Sequence, residues 1–108
     1  MDRKTADNIL EELAIISVTI ENLSRKIPKE SRKQIAKDLG TLLKACISIE
    51  SEIGFKIPDI HPHYLGWENY SQLRKKHEDP EHPVVLPTEE QLKQAREQWS
   101  KIQNLLRS

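Results

Sequence analysis

The chain has 108 residues, which is enough for one domain with a modest core. Only 36% of its residues are hydrophobic and 5% aromatic, while 31% are charged; that composition suits extended helical structures, or oligomers that complete their core with a second copy. Lys and Arg number 17 and Asp and Glu number 17, so net charge gives no general attraction to nucleic acid or to an acidic membrane surface.

From Met1 onward, Glu11 and Glu12 interrupt the only stretch that could begin an export signal. The most apolar run, Leu13 to Ile20, is far shorter than the roughly 20 residues a membrane-spanning helix needs, and it contains Ser17 and Thr19. The single cysteine, Cys46, cannot form an internal disulfide and falls among helical apolar positions, which fits a reducing compartment. A cytoplasmic protein is expected.

The first element is a helix over about 5–26. Its apolar residues step by three and four through Ala6, Ile9, Leu13, Ile16, Ile20, Leu23 and Ile27, so they share one stripe. Thr5 or Asp2 can cap its start. Pro28 cannot sit inside a continuous helix and marks the turn. A second helix follows over about 29–53, with Ile35, Leu39, Leu42, Cys46, Ile49 and Ile53 on its stripe. Gly54 is the expected terminator, and Gly40 inside the helix is expected to mark a close helix contact. Together, residues 1–54 form an antiparallel helical hairpin.

Helix one carries further apolar residues, Leu10, Ala14, Ile15 and Val18, beyond what one seam consumes, and helix two adds Leu43 and Ile47. Burying a Leu or Ile side chain contributes roughly 1.5–3 kcal/mol, so this surface calls for a cover. A second copy, giving a helical bundle that oligomerises across Ile15 and Val18, is the expected solution; the alternative is that residues 55–87 fold back as the cover. Ile16 and Leu42 are placed at the centre of the hairpin seam.

Residues 55–87 hold five of the six prolines and all four histidines, which excludes long regular helix. One short helix is predicted from Trp67 to His77, with Trp67, Tyr70, Leu73 and His77 on one face and Arg74, Lys75 and Lys76 at its C-terminal end. Val84, Val85 and Leu86 form an extended strap between prolines. Residues 88–108 form the C-terminal segment, with a helix over about 88–106. Thr88 and Gln91 make a capping box at its start, and Leu92, Ala95, Trp99, Ile102 and Leu106 make its seam. The fold class is all-α, in one domain spanning 1–108.

Chemical motifs are sparse. His77 and His82 are five apart with Pro80 between them, so they cannot act as the paired helical histidines of a zinc protease. There is no nucleophile elbow and no glycine-rich phosphate loop, and Cys46 lies at a core position. No catalytic residue, metal ligand or cofactor is assigned. The densest functional cluster is Tyr64, Trp67, Tyr70 and Arg74 with His61 and His63, a set suited to a protein interface or to stacking a base beside a phosphate.

Charge is also uneven along the hairpin. Arg25, Lys26, Lys29, Arg32, Lys33 and Lys37 surround the turn, and Asp2, Asp7, Glu11, Glu12, Glu50 and Glu52 gather at the open end. Lys29, Arg32 and Lys33, at the start of helix two, are a candidate anion site. The function expected from these features is that of a small non-enzymatic binding protein, such as an adaptor, inhibitor or antitoxin. It self-associates through the hairpin and meets a protein partner through residues 55–82. An oligomeric binder of a nucleotide or other phosphate ligand is the alternative. A metal hydrolase using the histidines is a weaker one.

Overall fold

A computed structural model describes residues 1–107. It contains α1 (Arg3–Lys26), α2 (Lys29–Lys56), a 3-10 turn (Pro58–Ile60), α3 (Trp67–Lys76) and α4 (Glu89–Arg107). No strand occurs among the described residues; Asp79 and His82 form one isolated bridge. The fold is all-α.

Each helix boundary has a local cause. The Asp2 carboxylate accepts the Thr5 N–H at 2.8 Å and caps α1. Ile27, forced towards extended geometry by the proline after it, takes φ −73° and ψ 129° and ends the helix. Pro28 then serves as N-cap of α2, its carbonyl accepting the N–H groups of Ser31 and Arg32 at 3.0 Å. At α4 the capping box forms as expected: Thr88 N–H donates to Gln91 Oε1 at 2.9 Å, and Gln91 N–H donates to Thr88 Oγ1 at 3.2 Å.

α1 and α2 run antiparallel, since Ile9 lies beside Ile49 and Ile53 while Ile20 lies beside Leu39 and Leu43. The core joins Ala6, Leu10, Leu13, Ala14 and Ile20 of α1 to Leu39, Cys46 and Ile53 of α2, and is closed by Ile60 and Tyr70. α3 packs along α1. Val18, 4% exposed, is buried on the same side of α1 as Ser17 and Glu21, the residues that hold Arg74 of α3. The expected oligomer face across Val18 is therefore covered from within the chain, by the segment that folds back.

The hairpin seam also differs from expectation. Its three- and four-residue steps resolve into two separate seven-residue repeats. Ala6, Leu13 and Ile20, with Leu39, Cys46 and Ile53, point inward and are buried. Ile16 and Leu23, with Leu42 and Ile49, lie on the outer face and are 44–50% exposed. Ile16 and Leu42 are thus not central to the seam. The reason is geometric: α3 approaches from the Leu10–Ala14 side, which turns the hairpin's inner stripe towards it and leaves the opposite edge open.

Two glycines act otherwise than expected. A Cβ on Gly40 would meet nothing within 4 Å, so no close helix contact requires glycine there. Gly54 does not end α2, which continues to Lys56. A Cβ at Gly54 would overlap the His61 ring, and one at Gly66 would overlap the Ile60 backbone. These two glycines let the loop between α2 and α3 lie flat against the hairpin.

Candidate functional site

The loop and α3 fix themselves to the hairpin through polar side chains. Glu50 falls between Cys46 and Ile53 on the inner stripe of α2 and is 3% exposed, so it is not one of the surface acids at the open end. Its carboxylate accepts the Tyr70 hydroxyl hydrogen bond and faces His63 Nε2 at 3.2 Å. Burial, and then the bond to Glu50, push the Tyr70 phenol well above its ordinary range. Burial followed by the Glu50 charge also raises the Cys46 thiol, which disfavours a reactive thiolate.

Arg74 donates to Ser17 Oγ at 3.2 Å and to Glu21 Oε1 at 2.5 Å. Lys76 pairs with Glu11 at 2.9 Å, and His77 lies 3.4 Å from the same carboxylate. Hydrogen bonds from these two hold the Glu11 carboxyl below its usual range. The basic end of α3 is in this way matched to α1 carboxylates.

His61 is enclosed within the loop, at 1% exposure. Its ring centroid lies 4.8 Å from Tyr64, 5.2 Å from Phe55, 5.6 Å from His63 and 5.6 Å from Trp99. Its Nδ1 accepts the His63 N–H at 3.2 Å. Burial, helped by the neighbouring His63 and opposed by Glu50, lowers its pKa to about 4. Nε2 of His61 and the Trp99 indole Nε1 are both buried without a hydrogen-bond partner.

Of the six cluster residues expected from sequence, the structure gathers His61, His63, Tyr64 and Tyr70 around Glu50 and Trp99. Tyr70 and His61 are buried; His63 keeps an open edge. Arg74 ties α3 to Ser17 and Glu21 of α1 and lines one shallow pocket with Tyr70 and Glu50, whereas Trp67 lines a separate groove of about 240 Å³ with Gln91, Gln94, Ala95 and Gln98 of α4. Glu50, Ser17, Phe55 and Trp99 complete the cluster without having been assigned to it from sequence. Glu50 had a signal, since it is four residues after Cys46 and three before Ile53.

The histidines do not converge. His61 and His63 are neighbours, His77 is at Glu11, and His82 sits in a turn with Asp79 and Glu81. In that turn the potential ligand atoms lie within 4.8 Å of one another, although Asp79 Oδ1 already accepts the Glu81 N–H at 3.0 Å. At the hairpin turn, Lys29, Arg32 and Lys33 are exposed; Arg32 donates to the Ile27 carbonyl at 3.3 Å, and no side chain caps the start of α2.

The remaining surface of note is the outer hairpin face, where Ile16, Leu23, Leu42 and Ile49 stand open beside a groove of about 180 Å³ reaching Met1, Ile9 and Lys56. The chain matches no family model, no curated protein and no solved structure. Among the described residues, no helix is long and apolar enough to cross a membrane.

Proposed function

We propose that this protein acts by binding, as a helical module that pairs with a second copy of itself through the outer face of α1 and α2 and presents its remaining surface to a protein partner. The observation that carries this reading is the second seven-residue repeat. Ile9, Ile16 and Leu23 alternate with Ile35, Leu42 and Ile49 along an antiparallel pair, yet Ile16, Leu23, Leu42 and Ile49 remain about half exposed. Apolar residues at this spacing are what a facing helix pair inserts between.

Size supports a second copy as the occupant. At 1.5 Å per residue, α1 is about 36 Å long, and two helices side by side make a face about 20 Å wide, or roughly 700 Å² before corrugation. A stable pair of proteins needs about 800 Å² from each partner. Charge favours an antiparallel pairing, because a parallel one would set the exposed Arg25, Lys26, Lys29, Arg32, Lys33 and Lys37 of the two turns against each other, whereas the exposed Asp2, Glu12 and Glu52 of the open end are balanced there by Arg3, Lys4 and Lys56. The partner-facing surface would include His63, Tyr64 and Trp67, which keep exposed or half-exposed edges.

Sedimentation equilibrium on the wild type, Ile16→Asp and Leu42→Asp tests the pairing. The wild type is expected to be a dimer at micromolar concentration, and both variants to be monomers with an unchanged helical spectrum. A wild-type monomer at tens of micromolar would overturn the reading.

A further inference from the structure

α4 is held to the body differently from the other helices. Only Ala95 and Trp99 of α4 are buried, and open clefts of about 430 and 240 Å³ flank it where it passes α3. The segment before it carries Pro80, Pro83 and Pro87 and no helix. Leu106, expected in its seam, is 73% exposed. Attachment therefore concentrates on the Trp99 indole, which stacks among Phe55, His61 and Tyr64 at 5.3–5.8 Å.

That contact stays closed only with a neutral His61. Nδ1 accepts a backbone N–H, so the proton of the neutral ring sits on Nε2. A second proton would have to go on Nδ1, pointing at the His63 N–H, which is itself a donor. The ring is 1% exposed and enclosed by Phe55, Tyr64 and Trp99. We propose that α4 is a releasable arm, latched by Trp99 over His61, that opens when His61 takes up a proton and so uncovers the aromatic surface of Tyr64 and Trp99 beside the already half-exposed Phe55. Opening also lets water reach the two unpaired nitrogens, Nε2 of His61 and Nε1 of Trp99.

The charged and titratable groups around His61 are His63 and Tyr64 from the loop and Glu50 from α2, with Tyr70 of α3 bound to that carboxylate. α4 contributes the uncharged indole. The neighbouring His63 reinforces the effect by disfavouring charge on His61; Glu50 opposes it but is already shared between Tyr70 and His63. The sign follows from burial. The closed state holds His61 at a pKa of about 4, against an ordinary 6.5 in the open state. The latch is at full strength above about pH 6.5 and weakens as the pH falls towards 4.

Hydrogen exchange on the full chain at pH 7.5 and pH 5.0, corrected for intrinsic exchange rates, tests the latch. The α4 amides are expected to lose protection about tenfold to thirtyfold at pH 5.0, while α1 stays protected. In His61→Asn, which keeps an acceptor for the His63 N–H but does not titrate, α4 protection should not depend on pH. Equal protection of wild-type α4 at both pH values would overturn the proposal, whether or not His61→Asn folds. So would a loss shared equally by α1. The latch lies apart from the outer hairpin face, so the result does not depend on self-association.

Discussion

Glu50 illustrates how one residue ties three elements together. A carboxylate on the inner stripe of α2 is tolerable only because Tyr70 and His63 reach it. Replacing it with Ala removes the carboxylate acceptor of the buried Tyr70 hydroxyl, and urea unfolding should show a loss of about 1–3 kcal/mol. The glycines give a matched pair of tests. Gly40→Ala meets no neighbour and removes the helix penalty of glycine, so it should stabilise by up to about 1 kcal/mol. Gly54→Ala drives a methyl into the His61 ring and should destabilise by about 1–3 kcal/mol. Thermal melts of the two variants check both signs. Sequence alone could not separate these glycines, because their difference lies in what the loop brings against them.

At the scale of elements, the three long helices and the short one were legible from periodicity, proline positions and capping residues, to within a few residues at each end. Periodicity states that residues share a side of a helix; it does not state which edge of that side a third helix will cover. That choice depends on where residues 55–87 return, which is fixed by Gly54, Gly66 and the polar ties of Arg74 and Tyr70. The cluster near His61 was legible as a concentration of aromatic and titratable residues. Its tenants from α2 and α4, Glu50 and Trp99, fall by sequence among the surface acids of the open end and in a separate seam. The consequence for mutation is a reversal. Val18→Asp buries an unpaired charge beneath α3 and should unfold the protein, whereas Ile16→Asp should leave the fold intact because its side chain is already 45% exposed. Circular dichroism and denaturant titration of this pair decide it. Unfolding by Ile16→Asp with a tolerated Val18→Asp would restore the assignment expected from sequence.

For the whole molecule, the long hairpin sets an extent of 49 Å against widths of 29 and 27 Å, with exposed cations gathered at its turn and mixed charges at its open end. The open apolar face of this elongated body is the surface through which the proposed pairing would form. Native mass spectrometry of the protein purified from its own host addresses self-association, ligand and metal at once. A species at twice the 12.6 kDa chain mass, with no added small molecule or ion and with conversion to monomer in Ile16→Asp, is the expected result. A 12.6 kDa monomer carrying a stoichiometric small molecule or metal ion would contradict it.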